Sequence, residues 1–325
     1  MSLVVAGAPA AVTGGVYTPP PQDWAPVWSP DGTVIAYHSE RAPRGLRVVE
    51  PDGSGDRRLP LPEPRHDEPA TFVFSPDWFW IAFGGEELVV SRPDGSDRHV
   101  VARSNYASKP SWSPARDRLV FEHLYALHVA NVDGSGLREL TPSGGEPAWS
   151  PDGELIAFRR GTGDRSDVFV IRPDGSGETN VSAALGGFHI DPVWSPDGRR
   201  VAFFTRDAPR SAGDVTVVER DGTLVGRFEP DALSTKLAWS PDGQRLLLSG
   251  PGVFELDIRT GARRIVSPFG ADATWAPDGG RVAFDGIGEC RNRVGIYVAD
   301  TSTRARKRLT NGCRIVGTSR ADSLR

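Results

Sequence analysis

The sequence has few of the residues that several classes of protein require. Among 325 residues there are two cysteines, Cys290 and Cys313, and three lysines, Lys109, Lys236 and Lys307, so that arginine supplies nearly all the positive charge. No apolar run reaches the roughly 18 residues that a membrane-spanning helix needs. A formal net charge of -4 argues against an electrostatic nucleic-acid binder.

Sequence motifs of common catalytic sites are also missing. No serine stands in a Gly-x-Ser-x-Gly segment, and no region alternates helix and strand patterns, which argues against a serine hydrolase acting alone. The spacing of Cys290 and Cys313 fits no zinc site, and neither cysteine forms a visible nucleophile pair with a histidine. We therefore predict no catalytic residue from these motifs.

What the sequence does contain is one unit repeated seven times. The segment Trp-Ser-Pro-Asp-Gly recurs, complete or altered, at spacings of 46, 38, 37, 45, 45 and 36 residues, which is typical of propeller blades. Its aromatic residue is Trp28, Phe74, Trp112, Trp149, Trp194, Trp239 and Trp275 in turn.

Each unit has the pattern of four short strands joined by turns. An apolar strand such as TVIAYH follows the repeated turn, and two further strands enclose a second turn such as PDGSG. In the first turn Pro30 fixes φ, Asp31 can bond the local backbone and Gly32 supplies a positive φ. We interpret the motif as structural, with the aromatic ring filling the wedge between neighbouring sheets.

The sequence therefore predicts an all-β protein, a β-propeller of four-stranded antiparallel blades over residues 24–312. Seven blades are predicted from the seven units. Residues 1–23 are predicted to be a leader with a possible closing strand, and 313–325 a tail. An end strand from residues 2–17 or 313–318 would change the count to six or eight.

The pattern P-x-WSPDG-x-x-IAF…IYV…DG…LT resembles the WD-like propeller repeats of the TolB family, which also occur in propeller domains of prolyl oligopeptidase and dipeptidyl peptidase relatives. The resemblance covers residues 24 to 310 and implies a fold without a function. TolB has six blades, an N-terminal α/β domain and a lipoprotein partner. These 325 residues contain no counterpart of that domain, so we do not carry the partner over.

Both cysteines fall in the seventh unit, where a Cys290–Cys313 disulfide could join one rim of the blade. It would close a 23-residue interval and contribute roughly 3 kcal/mol in the chain-entropy model. An even pair favours a secreted, periplasmic or cell-surface protein. The last ten residues, VGTSRADSLR, resemble the opening of an RTX calcium repeat and imply a calcium-binding region beyond residue 325. The alternative is an ordinary polar tail.

Candidate ligand-binding residues lie in the connections between units. His66, Asp67 and Glu68 precede the second unit, and His189 and Asp191 precede the fifth. Such connections usually line one face of a propeller, so these side chains could meet at a central channel and hold a polar ligand or a divalent ion such as calcium. Arginines of the long loops would frame its mouth: Arg41, Arg44, Arg206, Arg210, Arg291 and Arg293. The alternative is that all these residues solvate loops and cap strand ends.

Two functions fit these observations. The first is a non-enzymatic, monomeric binding platform for another protein or an envelope or extracellular ligand, with no cofactor. The second is a hydrolase or lyase with a metal-dependent site at the channel mouth, acting on a sugar, lactone or ester.

Overall fold

The computed structural model describes residues 22–61, 72–162, 165–207, 213–229, 234–288 and 293–310. All regular structure in this part of the chain is β-strand. No helix in it is long and apolar enough to cross a membrane.

The strands form consecutive four-stranded antiparallel units. Unit 1 contains β1 (Asp23–Trp28), β2 (Ile35–Ser39), β3 (Gly45–Val49) and β4 (Arg57–Arg58). Units 2 and 3 contain β5 (Phe72–Phe74), β6 (Ile81–Phe83), β7 (Gly85–Ser91), β8 (His99–Trp112), β9 (Arg118–His123), β10 (Ala126–Asn131) and β11 (Arg138–Thr141). The 14-residue strand β8 is the last strand of unit 2 and the first of unit 3.

The remaining strands form units 4 to 7. Units 4 and 5 contain β12 (Gly145–Trp149), β13 (Ile156–Thr162), β14 (Arg165–Ile171), β15 (Thr179–Asn180), β16 (Phe188–Trp194), β17 (Arg200–Arg206), β18 (Gly213–Glu219) and β19 (Leu224–Phe228). Unit 6 contains β20 (Lys236–Trp239), β21 (Arg245–Ser249), β22 (Val253–Asp257) and β23 (Arg263–Ser267). Unit 7 contains β24 (Ala271–Trp275), β25 (Arg281–Gly286), β26 (Gly295–Asp300) and β27 (Arg306–Arg308).

The units are arranged in a closed ring. The first strands contact one another in the succession β5, β8, β12, β16, β20, β24 and β1, which makes them the innermost strands. At the closure, Trp28 and Ile35 of unit 1 pack against Ala283 and Ile296 of unit 7. The predicted all-β propeller is thereby confirmed. The count of seven blades stays a prediction, because the terminal segments that could add strands lie outside the described residues.

The repeat aromatics lie between the sheets, where each is 5–9% exposed. Four of the indoles also donate a hydrogen bond across the interface to the preceding innermost strand. The pairs are Trp112 Nε1 to Val73 O (3.0 Å), Trp194 Nε1 to Ala148 O (3.0 Å), Trp239 Nε1 to Val193 O (3.2 Å) and Trp275 Nε1 to Ala238 O (3.2 Å). Tryptophan thus fills the wedge and also satisfies a carbonyl of the neighbouring unit.

The antiparallel order gives the ring two different faces. The connections between units and the hairpins between second and third strands lie on one face, which we call the loop face. The Trp-Ser-Pro-Asp-Gly turns and the hairpins between third and fourth strands lie on the other, the turn face. The candidate site begins where the innermost strands enter from the loop face.

Candidate binding site at the channel mouth

Five innermost strands share a backbone irregularity three residues before the repeat aromatic. The residues there have positive φ: Ala25 (53°), Lys109 (47°), Glu146 (55°), Asp191 (53°) and Asp272 (45°). The ladder to the second strand shifts register at each of these places. Non-glycine residues rarely adopt this conformation, and a bulge of this kind re-aims the side chain it carries. In four of the five strands proline follows, so no ladder donor is lost there.

The residues at this position form a charged ring around the channel. We define the channel ring as Ala25, Lys109, Glu146, Asp191, Lys236 and Asp272, the third residue before the aromatic in every unit whose residue there is described. Two of the three lysines of the chain are in it. The ring therefore holds three carboxylates and two ammonium groups on strands that contact one another.

Three units are joined on one side of the ring by Lys109. Its Nζ lies 3.1 Å from Glu146 Oε1 and 3.3 Å from Asp191 Oδ1. The backbone N–H of Asp191 donates to Glu146 Oε2 over 2.7 Å, so a carboxylate of unit 4 satisfies the bulge of unit 5. Arg159 Nε also lies 3.5 Å from Glu146 Oε2.

The pKa values of both Asp191 and Lys109 are raised in this cluster, for different reasons. Burial raises the pKa of Asp191, and the nearby Glu146 charge raises it further, while Lys109 and Arg206 act against the shift. Burial alone would lower the pKa of Lys109, but the charges of Glu146 and Asp191 outweigh it and raise the pKa. The repulsion between the Glu146 and Asp191 carboxylates is thus opposed by the ammonium group of Lys109, which both of them contact.

A second cluster lies where units 6, 7 and 1 meet. Lys236 Nζ is 3.4 Å from Asp272 Oδ1. Asp285, on β25 and only 5% exposed, accepts a hydrogen bond from the N–H of Ala25 over 3.0 Å. Burial raises the pKa of Asp285 to about 6, and the charge of Asp272 adds to the shift.

The described donor set does not fit a metal ion. No three histidine, cysteine, aspartate or glutamate side chains converge to hold one within the described ranges. The ring carboxylates instead face ammonium groups at 3.1–3.4 Å, and a bound cation would have to displace or repel those groups.

The structure places the sequence-predicted residues in different environments. Asp191 is in the channel ring, and the charge of Arg206 acts on it. His189 is fully buried, with Nδ1 3.1 Å from Thr205 Oγ1 and its ring edge-on to Phe203. Burial lowers the pKa of His189.

Several predicted residues lie outside the described part of the chain. They are His66, Asp67, Glu68, Arg210, Arg291, Cys290 and Cys313. Their predicted roles, including the disulfide, stay predictions. Arg41 is described and is bound within unit 1, 3.2 Å from Asp23 and 2.7 Å from Asp56.

From the loops that connect the units, the sequence predicts only Asp191 of the channel ring. Lys109, Glu146, Lys236 and Asp272 become visible when the units are aligned on their aromatic residue and the third residue before it is compared. Asp285 has no such signal, because it lies on a second strand and its role depends on contact with unit 1.

The loop face also carries an exposed apolar hairpin beside the ring. Leu124 and Tyr125 form the two-residue turn between β9 and β10, with φ of 50° and 68° and exposures of 62% and 82%. The carbonyl of Tyr125 accepts a hydrogen bond from Gly144 N over 2.7 Å. Gly144 stands two residues before Glu146, so the hairpin adjoins the channel mouth.

Comparison with known proteins supports the fold and leaves the family open. No family model matches the chain. An uncharacterized protein of Agrobacterium fabrum is 31% identical over 158 residues, which cover 41% of this chain and 53% of that protein. The chain thus matches about half the length of this relative.

Two solved structures define the class of fold. An oligogalacturonate lyase in complex with manganese has a TM-score of 0.70 and 15% identity, covering 86% of this chain and 90% of that one. A TolB-type protein from Agrobacterium tumefaciens, described as putative TolB, has a TM-score of 0.51 and 22% identity, covering 70% of this chain and 89% of that one. The chain is a TolB-like β-propeller in fold, as its repeats predict.

Proposed function

We propose that this protein is a non-enzymatic platform that binds another protein through its loop face, in the cell envelope or outside the cell. The observation that carries the proposal is the hairpin tip of Leu124 and Tyr125. Two-residue turns with positive φ at both positions favour Asn-Gly, yet large apolar residues occupy this one and remain exposed. The strained backbone and the exposed apolar side chains gain no packing within the described part of the chain. Both features are expected where a side chain anchors a binding partner.

The channel ring supports the same proposal. Its charges are paired with one another, so the ring presents both signs side by side rather than a single strong field. Such a surface orients a polar partner more than it adds raw affinity. The TolB-like fold is consistent with a protein partner, and the even cysteine pair is consistent with an oxidising compartment.

The test compares the capture of envelope proteins by immobilised wild-type and variant chains. Leu124→Asn combined with Tyr125→Gly should abolish capture of the partner, because the anchor is gone and the turn chemistry is improved. Leu137→Ala, an exposed leucine (48%) in the turn-face hairpin of the same unit, should leave capture unchanged. Equal capture by the double variant, or no protein captured by the wild type, would contradict the proposal.

A second candidate is a metal-dependent hydrolase or lyase at the channel mouth. It is favoured by Asp285, a buried carboxyl group whose pKa is raised to about 6 beside the charge of Asp272, because a carboxyl group with a raised pKa can act as a general acid. The neighbour of TM-score 0.70 is a lyase that binds manganese. Because the described residues do not supply three metal ligands, we derive no step through an ion.

The two candidates predict different results with manganese and oligogalacturonate. A lyase would raise the ultraviolet absorbance of the mixture as an unsaturated product forms, and Asp285→Asn and His66→Ala would each reduce the rate. The binding platform predicts no change in absorbance at any manganese concentration. If the wild type forms product and these variants do not, the protein is an enzyme and the platform proposal is wrong.

A further inference from the structure

The two units that depart from Trp-Ser-Pro-Asp-Gly most strongly are neighbours, and their altered turns meet on the turn face. Unit 2 reads Phe-Ser-Pro-Asp-Trp and unit 3 reads Trp-Ser-Pro-Ala-Arg, so Trp78 and Arg116 stand at the glycine position. Their φ values are 60° and 64°, close to the 67–77° of the five glycines. Left-handed backbone is strained for both side chains. The strain therefore occurs twice at one place.

A cavity of about 360 Å³, widely open to solvent, lies between these two turns. It is lined by Asp77, Phe79, Trp80, Ala115 and Arg116. This volume is near the lower end for ligand pockets, which hold small molecules or single ring-sized groups. Every lining residue belongs to unit 2 or unit 3, so the cavity exists where the repeat is altered.

One wall of the cavity is an aromatic platform fixed from behind. Phe79 is 53% exposed, and the guanidinium carbon of Arg92 lies 3.4 Å from its ring centroid and 3.9 Å from that of Trp80. Asp97 Oδ2 holds Arg92 Nε at 3.0 Å. The cation–π contacts therefore position the Phe79 ring while part of it stays open to solvent.

The polar groups of the cavity leave donors available and acceptors occupied. Asp77 Oδ1 accepts from Ser75 Oγ (2.7 Å) and Phe79 N (3.2 Å), and Asp77 Oδ2 accepts from Arg116 Nη1 (2.5 Å). Arg116 is half exposed and has further N–H donors in a planar fork. A ligand that complements this wall needs acceptor oxygens.

We propose that this cavity binds a carboxylate attached to a flat apolar ring. The ring would stack on Phe79, and the carboxylate would take the free donors of Arg116. Two sources share this chemistry: a free aromatic acid, and the C-terminal aromatic residue of a peptide. The site is distinct from the loop face, so it does not depend on the function proposed above.

The test uses isothermal titration of the full chain with four probes. N-acetylphenylalanine should bind. N-acetylphenylalaninamide, which lacks the carboxylate, and N-acetylglycine, which lacks the ring, should each bind at least tenfold more weakly. A hexapeptide ending in phenylalanine should bind more tightly than N-acetylphenylalanine if chain ends are the ligand, and no better if free acids are. Equal affinity for N-acetylphenylalanine and its amide would overturn the proposal. So would the absence of binding by both N-acetylphenylalanine and the hexapeptide.

Variants separate the site from the fold. Arg116→Gly restores the repeat glycine, so it should keep or raise the melting temperature. The same variant should bind N-acetylphenylalanine at least tenfold more weakly. Arg116→Lys retains charge without the planar fork and should also weaken it, and Phe79→Ala should do the same. Gln244→Ala, at the repeat position of Phe79 in unit 6, serves as the control and should change nothing. Full affinity in Arg116→Gly would refute the assignment.

Discussion

At the residue scale, the repeat tryptophans combine packing with a hydrogen bond that crosses between units. Trp194 is 8% exposed and donates to Ala148 O over 3.0 Å. Phe74, at the same repeat position, fills its wedge without any N–H group. The comparison suggests that the two contributions can be measured separately.

We expect Trp194→Phe to lower the free energy of unfolding by about 1–2 kcal/mol, because the Ala148 carbonyl loses its donor and a smaller ring remains. Trp194→Ala should cost about 3–5 kcal/mol, as for buried aromatics generally. Denaturant titration measures both. Trp149→Phe is the control, since that indole bonds Gly153 O of its own turn at 3.3 Å, and it should cost less than Trp194→Phe. Equal costs would show that the bond between units adds nothing.

The buried carboxyl of Asp285 predicts a pH dependence of defined sign. Its pKa in the folded protein is about 6, above the value of about 3.9 in an unfolded chain, so the folded state holds the proton more tightly. Stability contributed by this group is present below pH 4 and is lost as the pH rises to 6. A shift of this size corresponds to about 2–3 kcal/mol.

Asp285→Asn removes this titration. Relative to the wild type, the variant should gain about 2–3 kcal/mol in free energy of unfolding between pH 4 and pH 7. Urea titrations of both proteins at several pH values measure the difference. Asp300→Asn is a control of opposite sign in a lower pH window, because hydrogen bonds from Ser302 and Thr303 lower that pKa to about 2. The stability contributed by Asp300 is present above pH 4 and is lost as the pH falls to 2, so the difference between this variant and the wild type should stay constant between pH 4 and pH 7. A difference that stays constant with pH would contradict the assignment for Asp285.

Residue identity was more predictable than residue orientation. The sequence placed His189 and Asp191 together in one connection, but the bulge at Asp191 sends these neighbours into different surroundings. Asp191 joins Lys109 and Glu146 in the ring, whereas His189 packs against Phe203. Strand alternation and a single extra residue decide such outcomes, and neither is visible in a list of loop residues.

At the scale of elements, the strands and turns follow from local sequence. The Ser-Pro-Asp-Gly segments form turns in which Gly32 N donates to Ser29 O (2.9 Å) and Asp31 Oδ1 accepts from Thr33 N (3.0 Å). The continuous strand β8 was not predicted, because its role in two units depends on pairing with β7 on one side and β9 on the other. Non-local pairing of this kind has no local signal.

The hairpin between β9 and β10 should be easy to stabilise. Leu124→Asn with Tyr125→Gly installs the residues that such a turn prefers, and left-handed backbone costs non-glycine residues roughly 1–2 kcal/mol each. We expect the double variant to raise the free energy of unfolding by about 1–3 kcal/mol, measured by denaturant titration.

A control variant tests whether this gain comes from the turn conformation. Leu137→Asn removes exposed apolar surface without a change at a positive-φ residue, so it should leave stability within about 0.5 kcal/mol. A similar gain in Leu137→Asn would attribute the effect to surface polarity, and a loss in the double variant would show that the tip packs within the fold.

At the scale of the whole molecule, closure of the ring gives every unit two neighbours. Unit 1 meets unit 7 through the cluster that contains Trp28 and Ile35, and Asp23 N donates to Val294 O over 3.2 Å. An open array would unfold from its ends, because terminal repeats have one neighbour. A closed ring should instead unfold in one cooperative transition.

The closure can be tested by comparing two isoleucines at the same repeat position. Ile35 and Ile156 are both fully buried, Ile35 in the cluster between units 7 and 1 and Ile156 in that between units 3 and 4. Replacing either by alanine should cost about 2–5 kcal/mol, and each variant should retain a single transition by calorimetry and by tryptophan fluorescence. If the junction of the chain ends were weak, Ile35→Ala would cost much less than Ile156→Ala and an early separate transition would appear. Similar costs would instead mean that the junction of the chain ends stabilises the fold as much as an internal interface does. The first and last units would then have to stay joined until the whole ring unfolds.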